Sequence, residues 1–318
     1  MTDPIPVILD VDTGVDDAFA LLFAARHPGL DLRAVTCVAG NTDVDSVVAN
    51  TLTVLTAAGV ADVPVARGAE RPLLEPARPA RHVHGEDGMG DLGRPASSAH
   101  PDPRHAVELL HDLLTSTDRP ITLITLGPMT NAALLLRTHP DAVRGIERLV
   151  FMGGGALRGN ATAAAEFNVW HDPEATAIVL DVAAVNELPV TMYGLDVFYG
   201  PEVSRAQSEA LPVDDPGARL AADLLRFSYA RYGSDLATIG DAGAVCAVVD
   251  PAGIATTRLP VRVELAGTWT RGQTVVDRRT WSGDHGNDEH GLAPALVDVA
   301  LEVDAGRYVD LWLRTMSG

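Results

Sequence analysis

The 318-residue chain contains no lysine, because all 24 of its basic residues are arginine. A chain without lysine cannot form a Schiff base through a lysine side chain, which excludes the pyridoxal-phosphate enzymes. It also cannot build the phosphate-binding loop that depends on a lysine. The missing residue type therefore removes several large enzyme classes.

Cysteine and long apolar runs are also scarce. The two cysteines, Cys37 and Cys246, stand in apolar segments, which indicates neither a disulfide framework nor a zinc cluster. The opening residues, MTDPIPV, lack the basic region and apolar run of a signal peptide. No uninterrupted apolar run reaches the ~18 residues that span a bilayer. We therefore expect a soluble cytoplasmic protein.

Acidic residues dominate the charge. The formal net charge is −19, which disfavours nucleic acids and anionic membrane surfaces as partners. Hydrophobic residues make up 47% of the chain and aromatic residues only 5%. This composition predicts a globular protein with an aliphatic core, large enough to enclose a deep pocket.

Strand-like apolar runs alternate with helical patterns along most of the chain. The predicted strands cover 5–11, 32–38, 121–126, 147–155 and 188–194, and helices are predicted over 15–26 and 43–58. Residues 258–267 and 273–279 resemble a hairpin, and 296–303 alternates with a period of two before a final helix. The alternation predicts an α/β fold, a Rossmann-like open and mostly parallel sheet flanked by helices.

Residues 66–105 are rich in Pro, Gly, Arg and His and have the composition of a linker. Because both flanks of this stretch are predicted parts of one sheet, we interpret it as a long active-site loop. The whole chain, 1–318, is then expected to form one domain.

Four aspartates stand together in VILDVDTGVDDAFALL, where the first strand meets the first helix. Ligands bind beyond the carboxyl ends of parallel strands, and closely spaced carboxylates suit a hard cation such as Ca²⁺. Alternatively, Asp12 or Thr13 caps the helix, and Asp16 and Asp17 stabilise its positive end. The residue types alone leave both interpretations open.

Polar residues also follow other predicted strands, and each has a simpler structural explanation. Asn41 and Asn160 are typical turn residues, Asp241 could cap a helix, and Asp172 before Pro173 is more typical of a helix cap than of a ligand. The glycine run at 153–155 has no basic residue or hydroxyl at the spacing of a phosphate loop.

Taken together, the sequence resembles the inosine-uridine preferring nucleoside hydrolase family. The family motif D-x-D-x-G-x-D-D matches DVDTGVDD, at residues 10–17. Further blocks match in family order: VAGN, HVHGEDGMG, LGPMTN and MGGGALRGNATAAAEFNVWHDPEA. Five blocks in order make the resemblance far more specific than the aspartate motif alone.

The resemblance implies hydrolysis of the N-glycosidic bond of ribonucleosides to ribose and free base, with Ca²⁺ as cofactor. The implied ligands of the ion are Asp12, Asp17, the backbone carbonyl of Leu126 and Asp241. Contacts to the ribose are implied for a second set: Asp16, Asn41, Met152, Asn160, Glu166 and Asn168. A metal-activated water would attack the anomeric carbon with Asp12 as general base, through an oxocarbenium-like transition state.

The match fails at the group that protonates the departing base. Many family members have a histidine directly before the late aspartate ligand, whereas this chain has Gly240. Other donors could supply the proton, or an aromatic ring could activate the base by stacking; the candidates are His82, His84, Tyr229, Tyr232, Trp281 and His285. The nucleobase preference does not follow from the sequence.

Two functions other than nucleoside hydrolysis are also consistent with parts of the sequence. A haloacid-dehalogenase-like phosphohydrolase shares the strand-end pattern ILDVDTG, but its chemistry generally needs a later Lys or Arg to hold the phosphate, and this chain has no Lys. The Asn- and Glu-rich block at 160–168 also suits a polyol better than a phosphate. A nucleoside- or ribose-binding protein of the same fold, with impaired catalysis, is consistent with Gly240. Related proteins are often homodimers or homotetramers, which the resemblance implies here as well.

Overall fold

The structure is a computed structural model that describes residues 3–280 and 293–318. The strands are β1 Ile5–Val11, β2 Leu30–Cys37, β3 Val65–Arg67, β4 Ile121–Thr125, β5 Ile146–Met152, β6 Val190–Tyr193, β7 Glu202–Ser204, β8 Leu236–Thr238, β9 Ile254–Val263, β10 Thr274–Val276 and β11 Ala295–Val303.

Helices follow most of the strands. They are α1 Val15–Arg26, α2 Val44–Ala58, α3 Arg81–His84, α4 Ala106–Ser116, α5 Thr130–Thr138, α6 Phe167–His171, α7 Pro173–Asn186, α8 Leu195–Phe198, α9 Arg205–Glu209, α10 Pro216–Tyr232, α11 Ala242–Val249 and α12 Ala305–Ser317. Two 3₁₀ helices cover Pro140–Gly145 and Pro251–Gly253.

Within the described ranges, nine strands form the main sheet in the order β10-β9-β11-β6-β5-β4-β1-β2-β3. The pairs from β3 to β11 are parallel, and β9 and β10 add antiparallel pairings at one edge. The predicted α/β class, the mostly parallel sheet and the small hairpin are confirmed. Strands β7 and β8 form a separate antiparallel pair that the sequence did not predict.

Helices cover both faces of the sheet. One core cluster joins the sheet to α1, α2, α10, α11 and α12, and the other joins it to α4, α5 and α7. The last helix closes on the first, since the Trp312 ring meets the Phe19 ring edge-on and its Nε1 donates to the Phe19 carbonyl at 3.2 Å. Both rings are buried, so the chain ends are joined through the core.

The central position of β1 determines where a site can form. Strands β2 and β4 flank β1 in parallel register, so the chain leaves all three strands at the same edge of the sheet. Asp12, Asn41 and Leu126 each lie just beyond one of these strand ends. Residues far apart in sequence thus converge at one sheet edge.

Candidate active site

The turn from β1 into α1 is held together by Asp17. Its Oδ2 accepts a hydrogen bond from the Gly14 N–H at 2.9 Å, and its Oδ1 accepts from the Asp12 N–H at 3.3 Å. Asp17 therefore satisfies otherwise unpaired N–H groups at the start of α1. The expectation that Asp12 or Thr13 caps α1 is wrong, because Gly14 is the N-cap residue, whereas Asp16 and Asp17 do lie in the first turn of the helix.

Gly14 is needed for space. Its backbone is extended, with φ −98° and ψ −161°, so the turn itself does not require glycine. A Cβ at this position would lie 2.6 Å from His84 Nδ1 and 2.7 Å from Asn41 Nδ2. Glycine lets these two side chains approach the acidic turn closely.

Asp16, Asp17 and Asp241 each present a carboxylate oxygen within 4.8 Å of the other two. This group contains Asp16, which the resemblance assigned to the ribose, whereas Asp12 lies beside it. Asp12 Oδ2 instead accepts from the Asn41 backbone N–H at 2.8 Å. Asp241 begins α11, but its side chain makes no capping bond in the described part of the chain.

The carboxylates repel one another in a buried environment. Burial first, and then the charges of Asp16 and Asp17, raise the pKa of Asp241 well above its ordinary value. Burial and the charge of Asp17 do the same to the pKa of Asp12, and burial with Asp16 raises the pKa of Asp17 to about 7. Asp16 Oδ1 is buried and has no hydrogen-bond partner among the described residues. Such a cluster of oxygen ligands fits a hard divalent cation.

The Leu126 carbonyl, the fourth predicted metal ligand, faces the neighbouring polar wall. Asn168 Nδ2 donates to it at 2.6 Å and to the Met152 carbonyl at 3.2 Å. The Leu126 N–H donates to the Asp10 carbonyl at 2.7 Å, which holds the residue against the end of β1. A carbonyl has two lone pairs, so the bond from Asn168 leaves one acceptor site on Leu126.

Glu166 is buried at the start of α6. Its Oε2 accepts from the Gly154 and Val169 N–H groups at 2.8 and 3.1 Å, and Oε1 accepts from the Asn168 N–H at 2.8 Å. Burial raises the pKa of Glu166 to about 7 in spite of these bonds. Asn160 lies nearby, and its Oδ1 accepts from the Phe167 N–H at 2.9 Å.

A cavity of about 590 Å³ opens above these groups. It brings together most of the predicted site residues: Asp12, Asp16, Asn41, His82, His84, Leu126, Met152, Asn160, Glu166, Asn168, Tyr232 and Asp241. Asp17 is fully buried beneath them. The segment predicted as an active-site loop contributes residues 78–80 and 82–84 to the wall.

The sequence did not identify the apolar part of this wall. Its aromatic members are Phe167, Trp170, Phe198, Tyr199 and Phe227. The Arg78 guanidinium also lies at the wall, 4.8 Å from the centre of the Trp170 ring. Aromatic residues make up only 5% of the chain, and this scarcity was the one signal in the sequence that could have drawn attention to them.

The predicted proton donors lie in different places. Tyr232 and His82 line the cavity, whereas Tyr229 is buried elsewhere, with its hydroxyl donating to the Val203 carbonyl at 3.2 Å. Trp281 and His285 lie outside the described residues. His84 Nδ1 accepts from the Val15 N–H at 3.2 Å, and burial lowers the pKa of this histidine.

Gly240 lies against the acidic cluster, directly before Asp241. Its φ of +49° is in the left-handed region, and a Cβ would stand 2.8 Å from both the Asp16 Cβ and the Phe198 Cζ. The backbone here leaves no room for a histidine.

Asp10 and Asp172 have supporting roles. Asp10 Oδ1 accepts from Thr36 Oγ1 at 2.6 Å and from Asn131 Nδ2 at 2.8 Å, which links β1 to β2 and to the start of α5. Burial raises the pKa of Asp10 to about 7. Asp172 Oδ1 accepts from the Ala175 N–H at 3.0 Å, so its predicted role as a helix cap is confirmed.

The fold and cavity together define a class of protein. A parallel α/β sheet with a carboxylate-rich pocket beyond its strand ends, polar on one side and aromatic on the other, is typical of enzymes that bind polar small molecules. No helix in the described ranges is both long and apolar enough to cross a membrane.

The chain belongs to the family described as inosine-uridine preferring nucleoside hydrolase, whose sequence model matches residues 7–310. It is 40% identical over 312 residues to the pyrimidine-specific ribonucleoside hydrolase RihA of Photobacterium profundum, covering 96% of each chain. It is 39% identical over 292 residues to the inosine-uridine preferring nucleoside hydrolase of Crithidia fasciculata, covering 89% of this chain and 90% of the relative.

Solved structures show the same likeness. A plant nucleoside hydrolase, PpNRh1, superposes with a TM-score of 0.89 at 28% identity, with 99% of each chain covered. An inosine-guanosine nucleoside hydrolase superposes with a TM-score of 0.88 at 28% identity, with 98% of each chain covered. The family resemblance of the sequence is thereby confirmed.

Proposed function

We propose that this chain, folded as one domain, hydrolyses the N-glycosidic bond of ribonucleosides to ribose and free base with a bound Ca²⁺. The observation that carries the proposal is the cluster of buried carboxylates at the floor of the cavity. Uridine is the first substrate to test, because the name of one relative includes it and the name of the other specifies pyrimidines, the class to which uridine belongs. A cavity of about 590 Å³ is of the size that small-molecule ligands occupy.

The carboxylates of Asp12, Asp17 and Asp241 and the Leu126 carbonyl would hold the ion. Bound there, Ca²⁺ would lower the pKa of a water and would bind hydroxyl groups of the ribose. Burial first, and then repulsion between neighbouring carboxylates, raises the pKa of these acids, so their ionised forms are destabilised without a cation. A divalent cation would offset the negative charge of the ionised carboxylates, which supports the assignment.

Asp12 acts as the general base in this proposal. It lies at the cavity wall beside the proposed ion, where its carboxylate can accept a proton from a water. The 2.8 Å bond from the Asn41 N–H to Oδ2 fixes the plane of the carboxylate. The side chain is thus oriented before substrate arrives, which lowers the entropic cost of the attack by water.

The polar wall binds the sugar. Asp16, Asn41, Asn160, Glu166 and Asn168 offer carboxylate and amide groups to ribose hydroxyls, and Met152 packs against the ring. Bond cleavage places positive charge on the ribosyl ring in the transition state. Carboxylates fixed around that ring stabilise the charge, in the way that preorganised dipoles do in other enzymes.

The aromatic side of the cavity receives the base. Tyr232 lines it with its side chain largely exposed, and partial desolvation, followed by the charge of Asp16, raises the pKa of its hydroxyl. That hydroxyl therefore stays protonated at neutral pH and can donate a hydrogen bond to the departing base. In many family members a histidine protonates the departing base; here we assign the hydrogen bond to that base to Tyr232.

The proposal is tested by measuring free base and ribose after incubation of the protein with uridine, cytidine, inosine and adenosine. Ribose release that stops with a calcium chelator and returns with added Ca²⁺ is expected. Asp12→Asn should lose at least about a hundredfold in kcat, since it keeps the acceptor for Asn41 but not the base. Asp31→Asn, at an exposed position of β2, is the matched control.

Two results would contradict the proposal. Full hydrolytic activity in Asp12→Asn would exclude Asp12 as the base. Binding of nucleosides without any ribose release would instead support the nucleoside-binding protein that Gly240 left open.

A further inference from the structure

A second group of metal-binding side chains lies outside the cavity, among the elements that cover the opposite face of the sheet. His111 belongs to α4, His139 follows α5, and Asp141 belongs to the 3₁₀ helix Pro140–Gly145. Each presents a ligand atom within 4.8 Å of the other two. These residues take no part in the nucleoside site.

One of the distances already fits coordination, since His111 Nε2 lies 3.5 Å from Asp141 Oδ2. The two imidazole rings stack with centroids 4.1 Å apart at 24°, so the His139 side chain has to rotate on its backbone before both rings direct a nitrogen at one ion. Ligands at about 2.0–2.2 Å from a tetrahedral zinc ion lie about 3.3–3.5 Å from one another. The pair His111 and Asp141 is therefore already at the spacing that one shared ion requires.

Packed backbone supports the three side chains. Helix α4 contributes the buried residues Leu110 and Leu114 to the core beside His111. The His139 N–H donates to the Leu135 carbonyl at 2.7 Å, and its carbonyl accepts from the Ala142 N–H at 3.1 Å. The ligands are thus attached to three fixed segments, so little ordering is needed on binding.

The chemistry of this cluster differs from that of the cavity floor. Two imidazoles with one carboxylate favour borderline ions such as Zn²⁺, Ni²⁺ or Cu²⁺, whereas oxygen-only sites favour Ca²⁺. His111, His139 and Asp141 are all partly accessible to solvent, so a water can complete the coordination. Two chemically distinct ion sites on one chain can be filled independently.

We propose that His111, His139 and Asp141 form a surface site for a divalent transition-metal ion of the Zn²⁺ type. The ion joins α4 to the end of α5 and to the 3₁₀ helix that follows. Because it binds the folded arrangement of three segments, it stabilises that arrangement in proportion to ion concentration. Hydrolysis at the nucleoside site does not depend on it.

The test is a Zn²⁺ titration by isothermal calorimetry of protein without an affinity tag, in excess Ca²⁺ so that the oxygen-ligand site stays filled. One equivalent of Zn²⁺ should bind, and the melting temperature should rise with it. In the Co²⁺-loaded protein, visible absorption bands of tetrahedral nitrogen-oxygen coordination are expected. His111→Ala and His139→Ala should each weaken Zn²⁺ binding at least about tenfold.

His100→Ala removes an exposed histidine outside the cluster and is the matched control, with unchanged affinity expected. His139→Gln is a second variant in case the alanine change disturbs the end of α5, and melting without Zn²⁺ checks that each variant is folded. Unchanged Zn²⁺ affinity in the folded His111 and His139 variants would overturn the proposal. Absence of Zn²⁺ binding to the unmodified protein would do so as well.

Discussion

Gly240 provides the sharpest test of how the backbone shapes this site. We predict that Gly240→Ala destabilises the protein for two separable reasons. A side chain at φ +49° carries a left-handed backbone cost of about 1–2 kcal/mol. The added Cβ would also stand 2.8 Å from Asp16 Cβ and from the end of the Phe198 ring, an overpacking that costs about 1–3 kcal/mol.

Gly233→Ala separates the two contributions. Gly233 ends α10 with φ +61°, and a Cβ there would meet nothing within 4 Å. The variant therefore carries the backbone cost alone, about 1–2 kcal/mol. The difference between the two variants should be about 1–3 kcal/mol in the free energy of unfolding, measured in urea with and without Ca²⁺.

The same geometry predicts the outcome of restoring a histidine. Gly240→His must pass its side chain through the position that Asp16 and Phe198 already occupy, so we expect lower stability and a lower kcat/KM on uridine. Equal unfolding free energies for Gly240→Ala and Gly233→Ala would refute the steric argument. A stable Gly240→His protein with raised kcat/KM would show that the backbone can accept the family's usual acid.

Three further predictions follow from the ionisable groups. Tyr232→Phe should lower kcat on uridine about tenfold to a hundredfold, and more than Tyr199→Phe does; equal rates would remove Tyr232 from the reaction. Ca²⁺ affinity should fall as pH falls through about 7, because carboxylates such as Asp17, with a pKa raised to about 7, must lose their protons to bind the ion. Calorimetric titrations with Ca²⁺ from pH 8 to pH 5 measure this affinity, and a constant affinity would contradict the prediction. The Asp10 pKa of about 7 in the folded protein exceeds the value of 3.8 for an ordinary aspartate, so the wild-type protein loses stability as pH rises from 3.8 to about 7. The unfolding free energy of Asp10→Asn should therefore increase relative to that of wild type over this pH range, and the difference should be constant at higher pH. A difference that does not change with pH would refute the shift.

Much of the fold could be predicted from sequence because its signals are local. The apolar run at 5–11 and the helical pattern at 15–26 coincide with β1 and α1. The periodicity of a strand or helix depends on the order of apolar and polar residues within one short segment, so the sequence of that segment is enough to predict it. The pairing of β7 with β8 was missed because each strand has only three residues, too few for a pattern.

The candidate site was also predicted only in part. Its acidic floor was predicted because the aspartates cluster in one motif at a strand end. The aromatic wall was missed because α8 and the C-terminal half of α10 contribute to it through long-range packing, which periodicity does not reveal. The partners of Asp10 could not be predicted for a similar reason, since Thr36 reaches it from β2 and Asn131 from α5.

The strand order also has a consequence for how the protein is made. Strand β11 lies between β6 and β9, although it is the last strand of the chain. Until Ala295–Val303 leaves the ribosome, the β6 side of the sheet is an open edge, which can pair with other chains. The helix Ala305–Ser317, whose Trp312 reaches the Phe19 carbonyl, emerges later still. Residues 295–303 therefore have to be synthesised before the sheet can close, and a chain cut before β11 would be an aggregation-prone intermediate rather than a shortened functional protein.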